Sequence, residues 1–379
     1  MCTLLDPGLE MTMRGGYLRP TTIGKSAPID GAAAIFDRAC PGRYVTAHHA
    51  AGAQRHPLLG SYLGMWVAWA TDEQARHVGS SGGVLTALHE WLIAQGTEAR
   101  IVSAAVSRRE PSRTIPVTIT TREEALASAG SRYAPVAVSG HRAILDGPTA
   151  ITAKPCEISA VRAADLTYDK PLLLSFFCAG TPSQDATEKL VSDLGGPPID
   201  QVTALRYRGR GWPGRFVAEF DGGEVSADYE ASWGSTLGPA TQWRCKICPD
   251  GIGEAADVVA ADSWETDARG YPLFDEGAGQ SALIARTPQG LAAVLAAEAA
   301  GFLTLRELDP AALLKAQPLQ ANRRRFLFAR LIGAWLGGRR IPRYVGFGLV
   351  RLALSDPRRA LQTARGTYRR VRTAVRAEK

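Results

Sequence analysis

The segment PLLLSFF, residues 171–177, is apolar almost without interruption. A strand that shows one face to water alternates in polarity. An unbroken run belongs to a strand covered on both faces, as in the sheet of an α/β protein. Cys178 follows it directly. A second stretch, TAITA (149–153), reads as a strand and runs into KPCEISAVRAA, so Cys156 lies where strand gives way to helix. If the two strands are parallel neighbours, both thiols emerge at one carboxyl edge, where open α/β sheets gather ligands. The rest of the chain supports this class. GMWVAWA (64–70), IVSAAV (101–106) and TIPVTIT (114–120) read as strands. GGVLTALHEWLIAQG sets Val84, Leu85, Leu88, Trp91 and Leu92 at helical spacing, with Ser80 or Ser81 to cap its start and Gly96 to end it. TREEALASAG opens with Thr121 and Glu124 in capping-box spacing, and LAAVLAAEAAGFL is a helix. After Gly211, short strand-like pieces alternate with turns.

At 379 residues the chain is long enough for two domains, and its 45% hydrophobic and 21% charged residues suit a soluble globular protein. Six cysteines are too few for a disulfide scaffold, and MCTLLDPGLEMTMRGG lacks the apolar core of an export signal. The expectation is a reducing, cytoplasmic compartment, where clustered thiols do metal or redox work. The net charge of +7 hides a split. Residues 323–379 carry sixteen Lys/Arg and two acids, Asp356 and Glu378, for +14, which leaves −7 on the rest. Such an asymmetry marks a segment with its own electrostatic partner.

QWRCKICPDG puts Cys245 and Cys248 three positions apart. A Cys-x-x-Cys turn suits zinc, an iron–sulfur cluster or a reversible disulfide. Together with Cys156 and Cys178 the pair makes four thiols that can converge, although free cysteines also serve as small core hydrophobes. Structural zinc usually pairs two such knuckles or adds nearby histidines. Here there is one knuckle, and all six histidines precede residue 142, which favours a 4Fe-4S cluster while the spacing leaves zinc open. The turn GSSGG (79–83) at a helix start offers free N–H groups, hydroxyls and the positive helix end to a phosphate, though many such turns are only caps. GSRY (130–133) alone is an ordinary turn.

Six blocks join these features: ATDEQARHVGSSGGVLTALHEWLIAQG, SAGSRYAPV, KPCEISAVR, FFCAGTPS, YRGRGWPG and RCKICPDGIGEAADVVAADSW. Their order resembles the coenzyme F420 hydrogenase/dehydrogenase beta-subunit family, which includes 7-hydroxymethyl chlorophyll a reductase and ferredoxin-type divinyl chlorophyllide vinyl reductases. The similarity spans residues 12–290. The resemblance implies an iron–sulfur flavoprotein oxidoreductase that links a one-electron carrier, such as a ferredoxin-like partner, to a hydride-type donor or acceptor. It implies a 4Fe-4S cluster on Cys156, Cys178, Cys245 and Cys248. It also implies FAD contacts from Ser80, Ser81, Gly82 and Gly83, from Ser131, Arg132 and Tyr133, and from Lys154. Arg244, Lys246 and Lys154 lie close in sequence to the ligands, and at least one is expected to offset their charge. No catalytic residue, small-molecule substrate or use of the deazaflavin follows from the blocks.

The fold expected is α/β: two mixed α/β domains sharing a flavin and iron–sulfur site, plus a helical basic C-terminal tail. The divisions expected are an N-terminal arm (1–58), an FAD-binding domain (59–165), an iron–sulfur and substrate domain (166–311) and a basic amphipathic tail (312–379). Relatives often carry an additional Cys-x-x-Cys-x-x-Cys. Only Cys2 and Cys40 stand in this region, too few for a second cluster. RGRGWPG (208–214) suits either a clamp for a planar or anionic ligand or a turn with a packed tryptophan. Asp250, Asp257 and Asp262 suit proton donors or turn positions. FLFARLIGAWLGG and YVGFGLVRLAL, each broken by an arginine, read as interfacial helices on an anionic membrane surface, peripheral at its inner face. Their aromatics sit among aliphatics, unlike a nucleic-acid stacking face, so no nucleic acid is expected. The resemblance brings in surface-polysaccharide biosynthesis as a setting, and with it an alternative: a non-catalytic, metal-stabilised accessory protein at the membrane.

Overall fold

The computed structural model describes all residues except 25, 97, 168, 265–272, 274–275 and 378–379. Its centre is one eight-stranded mixed sheet. The strands are β1 (Gly64–Ala70), β2 (Ile101–Val106), β3 (Thr114–Ile119), β4 (Ala150–Thr152), β5 (Leu172–Phe176), β6 (Val258–Asp262), β7 (Ser281–Ala285) and β8 (Leu303–Glu307). They run in the order β8-β1-β7-β6-β5-β4-β2-β3. The four central strands β6, β5, β4 and β2 are parallel, and antiparallel strands close both sides. The expected parallel pairing of the strands before Cys156 and Cys178 is therefore present, with Leu172 opposite Ala150.

The apolar run of β5 is explained by burial on two faces. Leu172 and Leu174 join one core with Val84, Leu88 and Leu92 of α1 (Val84–Ala94). Leu173 joins the other, with Ile158 and Val161 of α2 (Pro155–Ala164). The first core also takes Ala293, Val294 and Ala297 of α3 (Pro288–Ala299), so helices cover both faces of the sheet. The capping box is formed: Thr121 Oγ1 accepts from Glu124 N at 3.2 Å, and Glu124 Oε2 from Thr121 N at 3.3 Å.

One sheet crosses the expected boundary at 165/166, where β4 and β5 pair directly. The satellite unit is a three-stranded antiparallel sheet (Val202–Arg206, Phe216–Phe220, Gly223–Ala227) with its own core around Tyr207 and Phe216. After it comes a π-helix, Glu230–Leu237, where strands were expected. The basic segment is helical in α4 (Pro318–Arg325), α5 (Leu327–Leu336), α6 (Leu349–Leu354) and α7 (Pro357–Ala377). YVGFGLVRLAL is not one helix: Arg343–Val345 pairs as a strand with Tyr44–Thr46 before α6 begins. Leu327, Leu331, Phe347 and Leu349 pack against Val45 and Ile247, so the first half of this segment belongs to the body.

Candidate functional site

The four parallel strands end at one edge. Beyond their carboxyl ends lies a cavity of about 550 Å³. β4 delivers Lys154 to it, β5 delivers Phe177 and Cys178, and β6 delivers Asp262 and Trp264. Seven of the eight residues expected to hold flavin line this cavity: Ser80, Ser81, Gly83, Ser131, Arg132, Tyr133 and Lys154.

The serine–glycine turn is built for close approach rather than for capping. Neither Ser80 nor Ser81 caps α1; the N-cap is Gly83, with φ +70°, and no side chain bonds the helix start. A Cβ on Gly83 would collide with the Ala75 carbonyl oxygen, which adds a steric demand to the conformational one. The first amides of α1 thus have no intrahelical acceptor and open beside the cavity, as an anion seat requires. Ser80 Oγ accepts a hydrogen bond from the Ser131 amide and ties the two expected flavin turns together. Gly82 is placed differently from the expectation. Its N–H donates to Ser281 Oγ at 3.0 Å, and a Cβ there would meet the backbone of Ala68 and Ser281. Gly82 serves sheet packing, not the cavity.

Arg132 lines the cavity while its guanidinium donates to Leu205 O at 2.7 Å, to Pro111 O and Arg113 O at 3.2 Å, and to Thr114 Oγ1 at 3.1 Å. Lys154 Nζ donates to Val136 O at 2.6 Å and pairs with Glu157 at 3.1 Å. Burial works against the ammonium, yet Glu157, Cys156 and Cys178 together raise its pKa, so it stays charged.

Arg208 was not singled out as a site residue, although RGRGWPG was. It is 3% exposed. Its guanidinium donates to Ser80 O at 2.5 Å and pairs with Asp262 at 2.8 Å, while Trp212, Tyr229 and Trp264 surround it at 4.8–5.4 Å. Trp212 stacks on Trp264 at 4.2 Å between centroids. The loop is thus a scaffold that joins the serine turn to the sheet edge. Of the three aspartates, only Asp262 reaches the cavity. Asp250 accepts from Glu254 N at 2.8 Å, and Asp257 binds Arg162, Thr287 and Leu173 N. His89 was missed because it sits in an apolar helix. It lines the cavity, is 4% exposed, and bonds Thr152 Oγ1 through Nε2 at 2.7 Å, while Nδ1 has no partner. Burial lowers its pKa to about 4.

The thiols come from three places: Cys156 on α2, Cys178 after β5, and Cys245 and Cys248 in and after the short helix Trp243–Lys246. Gly180, with φ +137°, lets the Cys178 loop pass Cys245, and Thr181 N–H donates to Cys245 Sγ at 3.4 Å. Burial pushes Cys178 up to about 12, and Cys245 and Cys156 add to the shift. Burial raises Cys156 and Cys248 as well, each with a contribution from neighbouring thiols. Two of the three neighbouring cations interact with the thiols. Lys154 interacts with Cys156 and Cys178, and Arg244 is held charged by Cys156, Cys245, Cys248 and Cys40 against the effect of burial. Lys246 turns away to Pro239 O. All six cysteines are free.

Among the described residues no group of three or more His, Cys, Asp or Glu side chains is arranged to hold a single ion. A four-iron cluster asks for a wider set, since each thiolate caps its own iron: roughly 6–7 Å between sulfurs, against about 4 Å around one tetrahedral ion. Cys156 and Cys245 both act on Cys178 and on Cys248, and with the Thr181 N–H on Cys245 and the cation Lys154 this donor set suits thiolate-bound iron. The cavity, with its open helix start and an unpartnered imidazole nitrogen, fits a phosphate-bearing planar cofactor.

Comparison with known proteins places the chain in a family. Two family models of the coenzyme F420 hydrogenase/dehydrogenase beta subunit match: the one for its N-terminal part over residues 65–141, and the one for its C terminus over residues 147–311. The F420-dependent formate dehydrogenase 1 subunit beta of Methanococcus maripaludis is 26% identical over 215 residues, 53% of this chain and 52% of that protein. The chain thus spans about half the length of this curated relative. Among solved structures, the F420-reducing [NiFe] hydrogenase complex from Methanosarcina barkeri contains a chain matched at a TM-score of 0.58 and 21% identity, over 76% of this chain and 98% of that one, a likeness of fold. The protein belongs to the coenzyme F420 hydrogenase/dehydrogenase beta-subunit family.

Proposed function

We propose that this protein is an oxidoreductase that passes electrons between a one-electron carrier and a hydride-type donor or acceptor, using FAD in the cavity and a 4Fe-4S cluster on Cys156, Cys178, Cys245 and Cys248. One observation carries the reading: the Ser80–Gly83 turn, the Ser131–Tyr133 turn, Lys154 and Cys178 all line the same cavity, so flavin seat and cysteine centre share a wall. Bound there, the flavin would supply two-electron exchange and the cluster one-electron exchange. The chain supplies the rest. The α1 amides hold a phosphate group, Val136, Val138 and Phe177 offer apolar wall to a planar ring, and His89 Nδ1 offers one hydrogen bond. Lys154 and Arg244 offset thiolate charge.

The redox partner fitting this role is a ferredoxin-like carrier, and free thiols suit a cytoplasmic setting. The second partner we propose is an anionic membrane surface. Trp335, Leu336, Leu354 and Leu361 are 53–67% exposed, in a segment whose arginines include Arg339, Arg340, Arg351, Arg358 and Arg365. Among the described residues no helix is long and apolar enough to cross a membrane.

Anaerobic purification tests the redox reading. The expected product is coloured, with flavin bands, a broad sulfur-to-iron shoulder, and about four irons per chain. Cys178→Ser should lose most of that iron. A colourless zinc protein, or a Cys178→Ser variant with full iron and sulfide, defeats the assignment.

A further inference from the structure

Beyond residue 311, where the family match ends, α4 lays two arginines against the cysteine centre. Arg323 is 5% exposed. Its Nη2 donates to Cys178 O at 2.5 Å and to Gln320 Oε1 at 2.6 Å, while Nη1 donates to Cys245 O at 3.3 Å and Ala179 O at 3.4 Å. One guanidinium therefore joins the backbone after β5 to the backbone of the short helix Trp243–Lys246. Gly251 leaves it room, since a Cβ there would stand 2.7 Å from Nη2, and Gly251 O in turn accepts from Cys178 N at 2.8 Å.

Among the described residues no salt bridge joins Arg323 to a carboxylate. Glu254 is taken by Arg324, and Asp250 accepts from the Glu254 amide. The hydrogen bonds of Arg323 go instead to Gln320 and to carbonyl oxygens of the Cys178 and Cys245 segments. A buried cation without a compensating charge is costly, and thiolates holding a cluster beside it would supply that charge.

We propose that Arg323 is a positioning residue of the cysteine centre, holding the Cys178 and Cys245 segments together and offsetting the charge of the four thiolates. This rests on the cluster reading above. It makes α4 a wall of the redox site rather than the start of an appendage. Because added electrons make an iron–sulfur centre more negative, a fixed neighbouring cation favours the reduced state and raises the potential.

The test uses the full chain, purified anaerobically, as wild type, Arg323→Gln, Arg323→Lys and, as a control for lost charge, the exposed Arg109→Gln. Two readouts serve: the rate at which a ferrous chelator bleaches the cluster, and the midpoint potential from an optical redox titration. Supporting groups of this kind typically matter 10–100-fold for metal affinity, so Arg323→Gln should bleach about tenfold faster. Its potential should fall. Arg323→Lys, which keeps the charge but not the fork, should bleach faster at a potential near wild type, and Arg109→Gln should match wild type in both. Arg323→Gln indistinguishable from a cluster-loaded wild type overturns the clamp and leaves the cluster reading standing. A wild type without iron overturns both. If Arg323→Gln does not fold, Arg323→Lys decides: bleaching at the wild-type rate overturns the proposal.

Discussion

In α4, Arg323 and Arg324 are 5% and 3% exposed, bonded to carbonyl oxygens and to Glu254. In α7, Arg365 and Arg369 face solvent, and no acid stands in that helix's first turn. Both helices belong to one segment with sixteen basic residues. The difference lies in what each helix meets. The Cys178 loop and the short helix Trp243–Lys246 turn carbonyl oxygens toward α4, and Glu254 is 1% exposed, so guanidinium groups are drawn into the body there. α7 packs on α5 through small residues, where Gly333 and Gly337 admit Ala364, Thr367 and Val371, and this contact leaves its arginines outside. A basic segment is thus part core and part surface.

The contrast can be broken at its strongest point first. Arg324→Ala leaves Glu254 buried without its cation, and should destabilise the fold by about 3–5 kcal/mol in urea unfolding. A loss below 1 kcal/mol would mean that α4 is not docked as described.

Next comes a base that meets burial differently. An arginine cannot shed its proton and must be paired, whereas His89 is kept neutral, its pKa lowered by burial from 6.5 to about 4. The stabilisation from neutral His89 is full above pH 6.5 and declines as the pH falls toward 4, because the unfolded chain takes up its proton first. Between pH 7 and pH 5, flavin-free wild type should lose about 2 kcal/mol more than His89→Leu. Parallel curves would show that His89 is paired or solvated.

The smallest effect on stability belongs to α7. Arg365→Gln with Arg369→Gln should change unfolding by no more than about 0.5 kcal/mol. The same pair should weaken binding to vesicles containing phosphatidylserine by about 1 kcal/mol per arginine. Equal co-sedimentation, or equal binding to neutral vesicles, would remove the membrane from the proposal. Truncation after Asn322 is a poor substitute, since it also deletes Arg323, Arg324 and the buried Leu327.

Much of the frame was legible because it rests on local rules. PLLLSFF could only be a strand covered twice, and the shared edge for Cys156 and Cys178 followed from parallel pairing, which the structure has. The Thr121–Glu124 box formed because both partners lie within one turn. Gly82 and Arg132 could not be read this way. A glycine beside a phosphate and a glycine beside a strand look alike in sequence, and only the approach of Ala68 and Ser281 separates them. Arg132 sits in a flavin-turn motif, yet its charge goes to carbonyl oxygens from 111, 113 and 205, distant in sequence. His89 was readable in principle, as a polar residue breaking an apolar helix face.

By itself the sequence determined the α/β class, the strand ends that carry thiols, and the sign of the C-terminal charge. These depend on periodicity, capping and composition, which act over a few residues. Tertiary structure decided that one sheet runs across residues 64–307, that Ser80 bonds the Ser131 amide, that Arg208 and His89 line the cavity, and that Arg323 reaches the Cys178 carbonyl. Each of these is a pairing across many tens of residues. The partner of a buried charge or a strand edge is set by what the fold brings within hydrogen-bond reach, and no local pattern encodes that meeting.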